Sequence, residues 1–249
     1  MDVRGQRVLV FGDSLTHRGS RTSPDGVDVT EPSSRTSSSP GDLLASYLLE
    51  HGAGSARING RVSRSAVNFW KGNNGEAGAA VLAAEVARRP SLVVVLLGTN
   101  DLGMNAAADA EAFRLIRESF IANGARVIAI GPPSFLSDEL NRKAVTVYES
   151  LVKVFGAANV IDWRPVTVDI VKPSQGRASD GVHFTALGAR AAAARLAQAI
   201  HTQGGPVIAT AGINWVPPMV SIFLTGLLIG GAWLIHRRRT LQPRRALPR

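Results

Sequence analysis

The sequence predicts an α/β protein built on a parallel sheet of five strands, covered by helices on both faces. Three observations carry this. Short apolar, β-branched runs recur at 8–11 (VLVF), 56–59 (ARIN), 91–98 (SLVVVLLG), 125–131 (ARVIAIG) and 159–162 (NVID). Stretches of helical composition alternate with them, the order that a parallel sheet with crossover helices requires. Two of the runs, VLVF and the centre of SLVVVLLG, are apolar throughout, as strands buried on both faces must be.

In order, VLVF stops at Gly12-Asp13-Ser14, where glycine permits a tight turn and the two polar side chains can bond the local backbone. Residues 18–41 are dominated by Ser, Thr, Pro and Gly and show no apolar period, which predicts a long loop. A helix is expected from Asp42 to Glu50, ended by Gly52 and Gly54. After the second strand comes a loop, NGRVSRSA at 59–66, and then an Ala-rich helix from Gly75 to Arg89 stopped by Pro90. The third strand is followed by an amphipathic helix, Ala106–Ala122, with Phe113, Ile116 and Phe120 on one face. Pro132-Pro133 closes the fourth strand, and Ser137 is an N-cap for a helix running to Phe155 with Gly156 just beyond. A last helix spans Thr185–Ala199. No internal repeat is present.

Length and charge bound the rest. A chain of 249 residues fits one α/β domain, 1–205, with a short appendage. It has no cysteine, which excludes disulfides, thiolate metal sites and cysteine nucleophiles. The formal net charge is +9, but six arginines and no acid lie in 237–249, so residues 1–236 carry only +3. The basic character belongs to a tail, and a nucleic-acid partner is not expected.

Ahead of that tail, no Asp, Glu, Lys or Arg occurs between Leu196 and Ile235. After a linker at 206–217, a single membrane-spanning helix is expected at 218–236, with Pro217-Pro218 at its start, Trp215 and Trp233 near its ends and the tail 237–249 beyond. Its 17-residue stretch Met219–Ile235 makes a helix of about 26 Å, slightly short of a ~30 Å hydrocarbon core. Gly226 and Gly230 have the GxxxG spacing that supports helix pairing, hence a possible dimer contact within the lipid bilayer. The alternative is a buried core helix. On topology the signals conflict: the arginines favour a cytoplasmic C-terminus and an outside domain, while MDVRGQRVLVF lacks the apolar region of a secretory signal. The expectation is a single-pass membrane protein whose domain stays on the side of synthesis.

Polar residues gather where strands should reach the carboxyl edge of the sheet, the place where such sheets put ligands. They are Ser14 after the first strand, the loop 59–66 after the second, Gly98-Thr99-Asn100-Asp101 after the third, and Asp180-Gly181-Val182-His183 before the last helix. A serine, an asparagine and an Asp/His pair can therefore converge on one rim.

The sequence here resembles the SGNH hydrolases, or GDSL esterases/lipases. It has GDSL at 12–15, GTND at 98–101 and DGVH at 180–183, in the family's order across nearly all of 7–200. The resemblance implies a three-layer α/β sandwich of flavodoxin-like type and a carboxylic ester hydrolase. Ser14 is then the nucleophile, His183 the base and later the acid, and Asp180 the partner that sets the imidazole tautomer. The oxyanion would be met by the Ser14 N–H, the Asn100 amide and one N–H of the second loop. Asp101 and Asp13 are expected to be structural, holding neighbouring turns.

The second loop departs from the family pattern, roughly Gly-x-x-Gly. Gly60 matches the first glycine and Ser63 stands at the second, with Arg64 the other candidate one residue on. Gly60, Arg64 and Thr99 are candidate substrate contacts; Arg61 and Arg64 either meet an anionic substrate group or are solvated surface residues. His17, near Ser14, is a competing base without an acid at comparable spacing. His51 and His201 are expected on the surface. Phe69 and Trp70 either line an acyl pocket or belong to the core. No cluster has metal-ligand spacing and no phosphate loop is present, so neither metal nor cofactor is expected.

Two functions from different classes follow. One is a membrane-tethered serine ester hydrolase acting on O-acetylated glycans, lipids or small esters, with loop 18–41 as a lid or a specificity loop; acyl transfer is the same chemistry with another acceptor. The other is a non-catalytic glycan- or lipid-binding module on the same scaffold, which the altered second loop favours and the intact Ser14, Asn100, Asp180 and His183 oppose.

Overall fold

The structure, a computed structural model, describes residues 1–18, 26–31, 33, 36–72, 77–170 and 176–202. All fall within one compact unit, Met1–Ala209. Its sheet has six strands: β1 (Arg7–Gly12), β2 (Val27–Asp28), β3 (Ser55–Gly60), β4 (Leu92–Leu96), β5 (Arg126–Ile130) and β6 (Val160–Ile161). They lie in the order β2-β3-β1-β4-β5-β6. All neighbours are parallel except β2, which runs antiparallel along β3. The five parallel strands are those the apolar runs predict. The sixth corrects the reading of 18–41 as loop throughout: Val27 and Asp28 pair with Ile58 and Arg57 at the sheet edge.

The helices are α1 (Pro40–Glu50), α2 (Ala66–Lys71), α3 (Gly78–Ala87), α4 (Ala106–Ile121), α5 (Asp138–Phe155), α6 (Arg164–Thr167) and α7 (Ala186–Thr202). The Ser39 hydroxyl accepts the Asp42 N–H at 3.4 Å and Pro40 opens the first turn, so α1 begins earlier than Asp42. Ser65 caps α2 by accepting the Asn68 N–H at 3.1 Å, and Gly72 ends it at φ +72°.

Strand alternation sorts the core into two faces. Val8 and Val10 join Val94, Ile128 and the buried faces of α1 and α7. Leu9 and Phe11 join Val93, Val95 and the apolar faces of α2 to α5, among them Phe69, Phe113, Ile116, Phe120 and Leu151. This is a three-layer arrangement, and Phe69 belongs to its core: its ring meets Phe11 edge-on at 5.3 Å. Chain order reverses between β1 and β4, the switch point at which a doubly wound sheet opens a crevice beyond its carboxyl ends. No described helix is long and apolar enough to cross a membrane. The linker 206–217, the span 218–236 with its Gly226/Gly230 pair, and the tail 237–249 lie outside the described residues.

Candidate active site

The register brings three strand ends together at this crevice. Gly12 of β1 pairs with Gly60 of β3 on one side and Leu96 of β4 on the other. The loops beginning at Asp13, Arg61 and Leu97 therefore leave the sheet side by side. Gly12 has to be glycine: a Cβ there would stand 2.1 Å from the Leu96 carbonyl oxygen and 2.2 Å from Thr16 Oγ1. Past it, Asp13 folds the turn under Ser14, its Oδ1 accepting the Leu15 N–H at 2.9 Å and its carbonyl the Thr16 N–H at 3.0 Å. Burial pushes the Asp13 carboxyl up to about 6, against the pull of the Leu15 bond.

Ser14 is left half-buried at the rim, with its Oγ 2.9 Å from Nε2 of His183. Nδ1 of the same ring lies 2.6 Å from Asp180 Oδ2. Asp180 Oδ1 accepts the Val182 and His183 N–H groups at 2.8 and 2.9 Å, so the DGVH stretch is a turn folded around its own carboxylate. Partial burial opposes the charge of Asp180, but the His183 ring and these two N–H groups outweigh it and hold the carboxyl down at about 2. An ionised Asp180 facing Nδ1 fixes the proton on that nitrogen. Nε2 is then an acceptor, the state in which it can take the Ser14 proton. His17, the competing base, is not the ring that Ser14 meets.

The turn is supported from beneath by Arg177. Its guanidinium is buried, lies 3.7 Å from the Phe184 ring centroid, and donates to the Val182 and Ser134 carbonyls. Burial brings its pKa down to about 10, against the attraction of Asp180. Sequence reasoning missed Arg177, because an arginine in a polar connection reads as surface.

The second loop starts from Gly60, where a Cβ would come within 2.6 Å of the Thr16 carbonyl carbon and the His17 nitrogen. Gly60 thus faces the nucleophile turn. The Arg61 N–H donates to the Gly12 carbonyl at 3.2 Å, and the Arg64 N–H to the Arg61 carbonyl at 3.2 Å. Between them Ser63 is exposed and holds φ +63°. That is the left-handed region glycine prefers, at a cost of about 1 kcal/mol for another residue. Of the two candidates for the place of the family's second glycine, Ser63 is the one with a glycine-like backbone.

Arg64 is corrected more strongly. It is neither a solvated arginine nor a contact for an anionic substrate group, because its side chain is fully buried. Its Nη1 donates to the Gly12 and Asn59 carbonyls and its Nη2 to Asn59 Oδ1, each at 2.9 Å. The rings of Phe11 and Phe69 flank it at 4.6 and 5.1 Å.

After β4, the 3-10 turn Thr99–Asp101 presents Asn100, whose Nδ2 donates to the Arg64 carbonyl at 3.1 Å. An amide nitrogen has two donors, so one remains for a ligand at the rim. Thr99 is buried in this turn, which corrects its reading as a substrate contact. Asp101 is buried and its Oδ1 accepts the Ala66 N–H at 2.8 Å, fixing the start of α2. Burial, then the charge of Asp109, pushes its carboxyl up to about 8. Asp109 is pushed up to about 6 by burial. No group of His and acidic side chains among the described residues could hold a metal ion.

The profile of the family described as GDSL-like lipase/acylhydrolase matches residues 8–196. The chain belongs to that family. It is accordingly a carboxylic ester hydrolase of the SGNH/GDSL type. No curated protein matches it. Solved structures share its fold. A proposed SGNH hydrolase from Slackia heliotrinireducens is 19% identical, with 79% of this chain and 100% of that one covered and a TM-score of 0.53. Axe2, an acetylxylan esterase from Geobacillus stearothermophilus, is 16% identical, with 83% and 97% covered and a TM-score of 0.54. A proposed arylesterase from Agrobacterium tumefaciens is 19% identical, with 80% and 99% covered and a TM-score of 0.55.

Proposed function

We propose that this GDSL hydrolase cleaves O-acetyl and other short acyl esters through Ser14, His183 and Asp180. The observation that carries the reading is the unbroken hydrogen-bonded line from Ser14 Oγ through the His183 ring to Asp180, 2.9 and 2.6 Å in its two links. Ser14 Oγ attacks the ester carbonyl as its proton passes to His183 Nε2, and Asp180 stabilises the imidazolium. The negative charge that develops on the carbonyl oxygen is met by the Ser14 and Ser63 N–H groups and the second N–H of the Asn100 amide. Collapse expels the alcohol, protonated by His183, and leaves an acyl group on Ser14. Water, deprotonated by the same ring, then releases the acid. Acetyl is the first acyl group to test because a protein of the same fold is an acetylxylan esterase.

We also propose, from the apolar, Trp-flanked composition of 218–236 and the arginines after it, that this stretch tethers the enzyme to a lipid bilayer. Detergent-dependent release of the full chain from membranes supports the tether, and recovery in a carbonate-washed soluble fraction overturns it.

Turnover of p-nitrophenyl acetate, butyrate and octanoate by the full chain, beside Ser14→Ala and His183→Ala, tests the reaction. Both variants are expected to lower kcat about 10⁴-fold or more, with acetate the best of the three esters. Turnover that survives Ser14→Ala overturns the assignment. Folded wild-type protein inactive on all three supports the binding-module reading instead.

A further inference from the structure

We propose that Arg64 is a positioning residue that locks the oxyanion-binding loop to the nucleophile turn, an inference that rests on the reaction proposed above. The guanidinium is fully buried, and the three bonds described above go to neutral oxygens: the Gly12 and Asn59 carbonyls and Asn59 Oδ1. A methionine or leucine would fill the same space between Phe11 and Phe69 without bringing a charge out of water. What an apolar side chain cannot do is tie the ends of β1 and β3 together with a planar fork.

Those strand ends lead into the loops that present two of the oxyanion donors. Gly12 lies two residues before Ser14. Ser63 precedes Arg64 itself. The Arg64 carbonyl accepts from Asn100 Nδ2 at 3.1 Å. Two of the donors, the Ser14 and Ser63 N–H groups, thus lie within two residues of Gly12 or of Arg64 itself, while Asn100 is bonded to the main chain of Arg64. The Asn59 amide is oriented in turn: its Nδ2 donates to Glu85 Oε1 at 2.8 Å, and Glu85 Oε2 accepts from Arg57 Nε at 2.8 Å. This buried line runs from β3 and α3 to the nucleophile turn and fixes which end of the Asn59 amide faces Arg64. Ser63 sits at φ +63° without the freedom of glycine, so the loop needs an external restraint to hold its N–H in place.

The test compares the wild-type full chain with Arg64→Lys and Asn59→Ala on p-nitrophenyl acetate, with Ser14→Ala as the zero. Lysine keeps the charge and loses the fork, so kcat is expected to fall about 100-fold. KM should stay within about threefold, and the shape of the kcat/KM pH profile should not change, because the Asp180–His183 pair is untouched. Asn59→Ala removes one of the three bonds outright and should cost about tenfold in kcat. Wild-type kcat in a folded Arg64→Lys, or an effect confined to KM, overturns the proposal; if that variant does not fold, wild-type kcat in Asn59→Ala overturns it. Amide hydrogen exchange is the second readout and does not depend on turnover. Faster exchange in peptides covering 12–15 and 60–66, with 178–184 unchanged, supports the lock, and unchanged exchange in all three contradicts it. If the wild type shows no Ser14-dependent turnover, the hydrolase reading fails on that result alone, and the exchange data still decide whether Arg64 holds the loop.

Discussion

The two halves of the site are built on opposite terms. On the serine side, Asp13, Arg64 and Asp101 are all fully buried, and the turns they hold are fixed by bonds to backbone. On the base side, the His183 and Asp180 side chains are 44% and 50% exposed, and the turn is closed by its own carboxylate. The difference follows from what each half has to do. Oxyanion stabilisation needs N–H groups already in place before charge develops, which buried, rigid supports beneath them supply. A ring that also deprotonates the water of the second step needs access for that water while its orientation is held by Asp180. Each half nonetheless has a buried arginine under it: Arg64 holds Gly12 and Asn59, and Arg177 holds Val182 and Ser134.

The largest expected effect lies on the open side. Asp180→Asn presents an amide where Nδ1 needs an acceptor and favours the wrong tautomer, so kcat is expected to fall about 10⁴-fold with the fold intact. A loss of less than tenfold would show that exposure makes Asp180 dispensable. Next comes the buried side. Asn100→Ala removes one oxyanion donor and should cost about 10²–10³-fold in kcat with KM little changed. Steady-state kinetics separates the two classes, because Asn100→Ala leaves the Asp180–His183 pair, and hence the form of the pH profile, as it is.

A smaller effect sharpens the contrast through stability. Asp13, Asp101 and Asp109 have carboxyls pushed up to about 6, 8 and 6. Between pH ~4 and those values the native state keeps protons that the unfolded chain has lost, so stability falls as pH rises through this window. The Tm is expected to drop by roughly 10 °C or more from pH 5 to pH 8. Asp101→Asn should flatten that slope, since an amide oxygen still accepts the Ala66 N–H and has no proton to lose. Asp180, held near 2, acts in the other direction: its contribution is present above pH ~4 and is lost only as pH falls toward 2. Thermal melts across pH, wild type against Asp101→Asn, check both signs. The smallest effect is at Ser63. Glycine there relieves φ +63°, and Ser63→Gly should change stability by less than about 1 kcal/mol in the stabilising direction, with kcat within about threefold.

What the sequence made legible follows the same division. VLVF, SLVVVLLG and ARVIAIG declare themselves because a buried parallel strand must be apolar on both faces, and the GDSL, GTND and DGVH stretches because their chemistry is local. The antiparallel edge strand Val27–Asp28 did not show: two exposed residues within a Ser- and Pro-rich stretch carry no period. The helix Ala66–Lys71 is too short for its periodicity to stand out, although Ser65 and Gly72 at its two ends were the available signal. Arg64 and Arg177 were illegible for a different reason. An arginine defaults to the surface unless something compensates its burial, and the compensating carbonyls belong to residues that only the fold brings near.

The most direct test of the account is active-site labelling of the full chain with a fluorophosphonate, followed by peptide mass mapping. One adduct per chain is expected, on Ser14, absent in Ser14→Ala and strongly slowed in His183→Ala. Folded protein that stays unlabelled, or an adduct on any other residue, would contradict it.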